Sequence, residues 1–335
     1  MTNLFQPRLL NGIFGDPGLF VRLRWERRAL LLDLGDLTAQ PPADLLKVTD
    51  VFVSHTHVDH FIGFDHLLRI ALGRDRAIRL FGPPGIIANV EGKLSGYTWN
   101  LVDGYPLAFE IHEVSPEKIT VARFPCGGRF ERIDLPPPSP FSGVLVDDPL
   151  FRVEAAHLDH KIPCLAFVLA EAERINIDPE RLRGLGLPTG PWLTEFKRLI
   201  RSGAPNETII RATARDTSDE QGRELRLGDL RVEIVTVTRG QRLVYVTDAL
   251  YSPENRQKIV ALAHDADIFF CEAVYLEQDR DRAAERHHLT ARQAGLLARE
   301  SNVKELVLFH FSPRYQDCPE TLYREASEAF DGPVR

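Results

Sequence analysis

The sequence predicts an α/β fold in which two β-sheets pack against each other and helices flank them. The first half of the chain consists mainly of short apolar runs bounded by glycine and polar residues, a pattern typical of strands. The later part alternates strand and helix patterns, and no linker of biased composition separates the two parts. We therefore expect residues 1–335 to form one domain. Residues 171–204 change to polar helical turns and predict an inserted arm.

The first half supplies strands and one helix. The predicted strands are Leu19 to Leu23, Ala29 to Leu34, Asp50 to Ser54, Ile78 to Phe81, Leu107 to His112, Ile119 to Phe124, Phe151 to Ala155 and Cys164 to Leu169. From His60 to Leu72 apolar residues recur at helical spacing, which predicts a helix shortly after the strand Asp50 to Ser54. The proline-rich segment Leu135 to Pro140 predicts a rigid surface connector.

The second half continues after a charged segment, Thr213 to Glu224, which we expect to be mobile. The predicted strands that follow are Leu230 to Val237, Arg242 to Val246, Ile268 to Cys271 and Glu305 to Phe309. The predicted helices lie near Pro253 to Ala263, near Thr290 to Glu300 and from Pro319 onward.

Composition indicates an ordinary globular protein. Hydrophobic residues make up 44% and charged residues 27%, and the formal net charge of −7 argues against a surface that binds nucleic acid without specificity. The four cysteines are far apart and form no C-x-x-C pair, which fits reduced thiols in a cytosolic protein. Met1 to Pro7 has no signal-peptide pattern, and no segment is long and apolar enough to span a bilayer. We expect a cytoplasmic protein that does not bind membranes.

The strongest chemical signal is the segment His55-Thr56-His57-Val58-Asp59-His60, directly after a predicted strand. Two histidines at positions i and i+2 of a tight turn can point at one metal ion, and the Asp and His that follow can point at a second. Imidazole nitrogens and carboxylate oxygens suit Zn²⁺, and to a lesser degree Mn²⁺ or Fe²⁺. A plain polar turn is the alternative, but three histidines and an aspartate within six residues are an improbable composition for one.

One such cluster cannot complete two coordination shells, so further ligands must come from elsewhere in the chain. Three residues at predicted strand ends are candidates: His160 before a strand, and Asp248 and His310 after strands. His157 competes with His160, and the residue types alone leave that choice open. Two metal ions held side by side can stabilise the attacking and leaving oxygens of a displacement reaction.

Six segments together resemble the metallo-β-lactamase superfamily and, within it, the ribonuclease Z family of tRNA 3′-processing endonucleases. They are Ser54 to Gly63, His160 to Cys164, Thr247-Asp248, Phe270 to Ala273, His288 to Ala294 and Leu308 to Tyr315. The resemblance covers residues 28–316 and implies a four-layer αββα sandwich. It also selects His160 over His157, because His160 adjoins Lys161-Ile162-Pro163 as in the family.

The resemblance implies a metal-dependent phosphodiesterase that holds two zinc ions. His55, His57 and His160 would hold one ion, and Asp59, His60 and His310 the other, with Asp248 between them. The resemblance also implies that the metals would activate a water that attacks the phosphorus, and that Asp59 would hold this water or accept its proton. His288 is then the candidate donor of a proton to the departing 3′-oxygen. Glu272 orients or charges His288, or else supports a ligand histidine.

The arm indicates the substrate. Leu185 to Pro191 resembles the Gly-Pro motif of the flexible arm with which ribonuclease Z grips tRNA. Its candidate substrate-binding residues, together with Arg314 of the last motif, are Arg181, Arg183, Lys197, Arg198 and Arg201. A basic arm on an acidic protein can bind phosphates by counterion release. A solvated helical hairpin or a contact in a homodimer is the alternative for this arm.

The sequence leaves three functional hypotheses. The first is an endoribonuclease that removes the 3′ trailer of tRNA precursors, the second a hydrolase of small phosphodiesters or other esters, and the third a non-catalytic RNA-binding protein. Departures from the family pattern occur in the loop Leu9 to Leu19, at Ala166-Phe167 where Gly-Tyr is usual, and at Ala249 where Thr is usual. The complete set of candidate ligands favours an enzyme, and the arm favours tRNA.

Overall fold

A computed structural model describes residues 3–213 and 222–335, and the chain divides into two compact units. The first, which we call the core unit, comprises Met1–Ala170 and Gln241–Arg335. The second, the inserted unit, is Glu171–Gly240. Most of the segment Thr213 to Glu224, predicted to be mobile, lies outside the described residues.

The helices and strands alternate irregularly along the chain. The strands are β1 Phe5–Leu9, β2 Leu19–Leu23, β3 Ala29–Leu32, β4 Val48–Phe52, β5 Ala77–Gly82, β6 Ala108–Val114, β7 Lys118–Pro125, β8 Ile133–Asp134, β9 Ser139–Pro140, β10 Val144–Asp147, β11 Phe151–Asp159, β12 Pro163–Glu171, β13 Arg174–Ile177, β14 Ile209–Ala212, β15 Arg223–Arg226, β16 Val235–Thr238, β17 Arg242–Val246, β18 Ile268–Glu272 and β19 Leu306–Phe309. The helices are α1 Pro42–Leu45, α2 Val58–Phe61, α3 Phe64–Ala71, α4 Ile86–Ser95, α5 Pro179–Gly184, α6 Trp192–Arg201, α7 Leu227–Ile234, α8 Pro253–Ala263, α9 Arg280–Arg286, α10 Ala291–Glu300 and α11 Pro319–Phe330.

Two sheets build the core unit. The first has the order β1-β2-β3-β4-β5-β6-β7-β8, with β9 also beside β7, and its strands β3 to β6 are parallel. The second has the order β10-β11-β12-β17-β18-β19, and β17, β18 and β19 are parallel. Parallel neighbours bring their carboxyl ends to the same edge of a sheet, which is where α/β folds place their chemistry.

Apolar side chains form three layers in the core unit. The middle layer joins the two sheets, and in it Phe52 of the first sheet contacts Phe167 of the second with ring centroids 5.7 Å apart. A second layer packs α3 and α4 on the outer face of the first sheet. A third packs α8, α10 and α11 on the outer face of the second sheet. This helix–sheet–sheet–helix order confirms the predicted fold class.

The predicted helix His60 to Leu72 is interrupted in the structure. The α2 helix ends at Phe61 and α3 begins at Phe64. Between them, a Cβ atom on Gly63 would lie 2.2 Å from the carbonyl oxygen of Gly35, so only glycine allows this approach. The break leaves the cluster His55 to His60 on its own short turn.

The inserted unit has its own apolar core, built from α5, α6 and α7. Helices α5 and α6 agree with the helical turns predicted for residues 171–204, whereas strand β13 was not predicted. The strand prediction for Leu230 to Val237 was wrong, because α7 continues to Ile234 and strand β16 begins only at Val235. Leu227, Leu230 and Ile234 share the buried face of α7, and Val232, which an alternating strand would bury, is 78% exposed.

Candidate metal centre

Strand ends from both sheets meet at one group of ionisable side chains. In the first sheet, β4 is followed by the turn that carries His55 to His60. In the second, Asp248 follows β17, Glu272 ends β18 and His310 follows β19. The chain at Asp248 and His310 adopts left-handed φ angles of 44° and 61°, so it turns sharply where these side chains leave the sheet.

Three groups of candidate ligands lie together here, and one of them comprises Asp248, Glu272, His288 and His310. The other two contain the ligands predicted from the sequence. His55, His57, His160 and Asp248 offer ligand atoms that all lie within 4.8 Å of one another. Asp59, His60 and His310 form a neighbouring group of the same kind.

Asp248 lies between the two groups. Its Oδ2 atom is 3.6 Å from His55 Nε2, 3.4 Å from His60 Nε2 and 3.4 Å from His160 Nε2. Its Oδ1 atom is 2.9 Å from His310 Nδ1. One buried carboxylate therefore faces imidazoles of both groups.

Three of these imidazoles are hydrogen-bonded through the ring nitrogen that faces away from Asp248. The Nδ1 atom of His60 lies 3.0 Å from the Asp33 carboxylate, and that of His160 lies 2.7 Å from the carbonyl oxygen of His287. The Nδ1 atom of His55 lies 3.1 Å from the Ser54 hydroxyl. In each ring Nε2 is left facing Asp248. Metal-binding histidines typically have this arrangement, because an outer hydrogen bond fixes the tautomer and the ring orientation.

The inner atoms of this site lack ordinary partners. His60 Nε2 and His310 Nδ1 are buried without a hydrogen bond of acceptable geometry in the described structure. Burial would lower the pKa of His310, but Asp248 and Asp59 raise it to about 10. Burial also opposes ionisation of Asp248, yet His60 and His310 hold its pKa well below the usual range. Buried carboxylates that demand positive charge, beside unpartnered imidazole nitrogens, fit divalent metal ions.

Asp33 is a site residue that sequence reasoning missed. It is fully buried and accepts hydrogen bonds from the Ser54 backbone N–H, the Ser54 hydroxyl and the Tyr245 hydroxyl, besides facing His60. A lone aspartate directly after an apolar strand was the only signal in the sequence. That position puts it at the same strand ends as the ligands.

The structure brings His160 into the site and leaves His157 outside it. The His157 Nε2 atom lies 3.0 Å from the carbonyl oxygen of Val114, and its ring packs edge-on against Phe141. The two residues sit three positions apart at the end of β11, where the chain turns through Lys161 with φ 60°. The side chains of His157 and His160 therefore cannot both reach the same ion.

Replacing His160 by alanine is expected to lower metal content and activity, whereas His157→Ala should retain both, since only His160 faces Asp248. Elemental analysis of the two variants, purified side by side, is the measurement. Full metal content in His160→Ala together with loss in His157→Ala would show that the ligand assignment is wrong.

His288 and Glu272 lie beside the two groups. His288 Nδ1 is 2.8 Å from Glu272 Oε2, while Glu272 Oε1 accepts the backbone N–H groups of Ala249 and Leu289. Glu272 is therefore fully engaged by protein groups, which matches an orienting role better than contact with a substrate. Burial would lower the pKa of His288, but Glu272 raises it.

The predicted substrate-binding residues differ in how available they are. Arg198 forms an ion pair with Glu195 at 2.6 Å, and Arg181 lies 3.4 Å from Asp178. Arg314, in the core unit, is paired with Asp279. Within the described residues no ion pair engages the remaining three, which are Arg183, Lys197 and Arg201.

Solved structures resemble the whole chain. The metallo-β-lactamase-fold protein YhfI of Bacillus subtilis superposes with a TM-score of 0.56 at 15% identity, covering 98% of this chain and 95% of that one. The short form of human tRNase Z gives 0.52 at 18% identity, covering 93% and 94%. No family model matches the sequence. These likenesses, with the helix–sheet–sheet–helix order, place the chain in the class of proteins with the metallo-β-lactamase fold.

Sequence relatives narrow this class to one family. Ribonuclease Z of Deinococcus radiodurans is 34% identical over 292 residues, which cover 86% of this chain and 84% of that protein. Ribonuclease Z of Nanoarchaeum equitans is 25% identical over 316 residues, covering 91% and 81%. The chain belongs to the ribonuclease Z family. Among the described residues no helix has the length and apolar character needed to cross a membrane.

Proposed function

We propose that this protein is a two-zinc endoribonuclease that removes the 3′ trailer from tRNA precursors. The observation that carries the proposal is the set of three imidazoles whose Nδ1 atoms are hydrogen-bonded and whose Nε2 atoms surround Asp248. Membership of the ribonuclease Z family supports the choice of RNA as substrate. A cytoplasmic location and a homodimer stay predictions from the sequence.

In this proposal every ligand belongs to the core unit. His55, His57 and His160 hold one ion, Asp59, His60 and His310 hold the other, and Asp248 is shared. Bound zinc supplies Lewis-acid chemistry, which activates water near neutral pH and stabilises charge on a phosphodiester. Mn²⁺ or Fe²⁺ would suit the same nitrogen and oxygen donors.

In this proposal Asp59 orients the attacking water. Its Oδ2 atom lies 3.4 Å from both His60 Nε2 and His310 Nε2, and 40% of the side chain is exposed to solvent. Burial opposes its ionisation, but the nearby imidazoles of His310 and His60 lower the pKa, so the group is a carboxylate at neutral pH. An ionised carboxylate at the open side of the site can accept a hydrogen bond, and then a proton, from water.

In this proposal His288 protonates the departing 3′-oxygen. Its Nδ1 atom is occupied by Glu272, which leaves Nε2 as the only ring nitrogen available to a substrate. Glu272 raises the pKa of the imidazole and fixes its orientation, so it acts through His288 as a positioning residue.

Replacing His288 by alanine is expected to slow cleavage of a ribose leaving group by about 10²–10⁴-fold, because a general acid contributes about that much. A nitrophenyl leaving group needs no proton, so hydrolysis of a nitrophenyl phosphodiester should fall far less. Elemental analysis provides the control, since the metal content should be unchanged. An equal loss on both substrates, or a loss of metal, would assign His288 a structural role.

In this proposal the inserted unit binds the tRNA body of the precursor, away from the cleaved bond. On α6, Lys197 and Arg201 are one turn apart and share a face, and burial together with Arg201 lowers the pKa of Lys197. A nearby phosphate would relieve that repulsion. Arg183 adds a third cation without an ion pair among the described residues. Cleavage of a tRNA precursor beside a chromogenic phosphodiester tests this function, and activity on the small diester alone would exclude tRNA as the substrate.

A further inference from the structure

We propose that the turn joining β2 to β3 binds the single-stranded 3′ trailer of the RNA substrate. The segment Arg22-Leu23-Arg24-Trp25-Glu26-Arg27-Arg28 places four arginines around one tryptophan. This inference rests on the proposed function, because its ligand is part of the proposed substrate.

Trp25 occupies a position that packing does not explain. It lies in a turn closed by the Glu26 N–H and the Leu23 carbonyl oxygen, with φ 66°, a conformation that favours glycine. Its side chain is 75% exposed. A bulky residue with left-handed backbone geometry and little buried surface is an outlier that points to a use other than stability.

The arginines around Trp25 are mostly available. Arg28 is held by Asp148 at 2.8 Å and by Asp50 at 3.7 Å. In the described part of the chain the other three, Arg22, Arg24 and Arg27, have no ion pair, and Arg24 Nε donates to the carbonyl oxygen of Asn3 at 3.2 Å. The Arg24 guanidinium lies 5.7 Å from the centroid of the Trp25 ring, which holds a cation beside the aromatic face.

The edge of the first sheet connects this turn to the metal centre. Strand β1 is the edge strand of the first sheet, and its register pairs Gln6 with Arg22 and Arg8 with Phe20. Arg8 and Arg22 therefore share one face of the sheet, where Arg8 is engaged by Gln40 at 2.9 Å and by Asp44 at 3.5 Å. At the other end of β2, Leu19 pairs with Leu32 of β3, and the next residue, Asp33, lies 3.0 Å from His60 Nδ1, so that end of the strand adjoins the metal centre.

The length of β2 sets the distance between the metal centre and the turn that carries Trp25. Its five residues span about 17 Å at roughly 3.3 Å per residue. A strand of RNA that leaves the metal centre along this edge would reach Trp25 after several nucleotides.

Single-stranded RNA is the ligand that this chemistry fits. Arginines pair with phosphates, and an exposed indole stacks on a base of any sequence, provided that the base is unpaired. In a tRNA precursor, the 3′ trailer supplies unpaired bases next to the cleaved bond. Removal of a stacking aromatic ring of this kind weakens binding roughly tenfold.

The test uses two precursors, one with a trailer too short to reach the turn and one with a long single-stranded trailer. Trp25→Ala should raise KM roughly tenfold for the long trailer and leave the short one unchanged. Trp25→Phe, which keeps an aromatic face, should stay near wild type. The pair Arg24→Ala and Arg27→Ala should reduce the salt slope of long-trailer binding by about 0.7 for each phosphate that is no longer bound, whereas Arg324→Ala on α11 should not change it.

Equal losses on both precursors, or no loss on the long one, would overturn the proposal. If the wild-type protein cut neither precursor, the proposed function itself would fail, and direct binding would then decide the role of the turn. A single-stranded oligoribonucleotide should quench the tryptophan fluorescence of the wild type, and it should quench that of Trp25→Phe less. Trp25-dependent binding of an acidic peptide or of phosphatidylserine vesicles, without binding of the oligoribonucleotide, would assign the turn to another partner.

Discussion

In Asp248→Ala, both metal ions are expected to be lost, and phosphodiester cleavage is expected to fall by several orders of magnitude. The carboxylate of Asp248 lies within 3.6 Å of imidazole nitrogens in both ligand groups, so its removal weakens both sites at once. Activation of water and stabilisation of phosphate charge depend on both ions. Elemental analysis of protein purified without chelator, together with initial rates, measures the effect.

Two further variants make this experiment decisive. Asp248 adopts a φ of 44°, which asparagine tolerates better than alanine, so Asp248→Asn removes the charge with less backbone strain. Asp103→Ala removes a carboxylate that is 75% exposed, outside the ligand groups, and serves as the matched control. If Asp248→Asn kept two ions and full activity, Asp248 would not be a shared ligand. The loss of only one ion would assign it to a single site.

Removal of the inserted unit is expected to abolish cleavage of tRNA precursors while hydrolysis of a small phosphodiester is nearly retained. The unit carries Arg183, Lys197 and Arg201 but none of the proposed metal ligands. Its two ends are suited to the deletion, because Ala170 and Arg242 face each other in the antiparallel pair β12–β17. An Asn-Gly link between these two residues would form a short hairpin and keep the second sheet continuous.

The matched control for the deletion keeps the unit and replaces Arg183, Lys197 and Arg201 by alanine. This variant should bind precursors more weakly, with a salt slope smaller by about one unit for each phosphate that the arm no longer neutralises. Loss of both activities in the deletion would mean that the core unit depends on the insertion. If the deletion variant cleaved precursors at the full rate, the inserted unit would not be the part of the protein that binds the RNA.

Much of the site could be predicted because its signals are local. The cluster His55 to His60 is compact in sequence, and Asp248 and His310 each follow an unmistakable apolar strand. The two-sheet fold could be predicted for the same reason, since each strand is a separate apolar run. As metal ligands, these residues stay a prediction that the experiments above test.

The features that sequence reasoning missed depend on contacts between distant segments. Asp33 gains its role only because Ser54, His60 and Tyr245 surround it in the fold, and nothing near it in sequence indicates those partners. The error at α7 has a different cause. Leu230, Val232 and Ile234 alternate as in a strand, but burial of Leu227 with Leu230 and Ile234 favours the helix.

The wide spacing of the site residues along the chain has a consequence for synthesis. Asp33 and the turn at His55 belong to the part of the chain that leaves the ribosome first, whereas His310 follows the last strand of the second sheet. A nascent chain that ends before β19 can form the first sheet and still lack His310, one of the proposed metal ligands. Domains fold as units during translation, so the nuclease acquires its chemistry late, when both sheets have closed on each other.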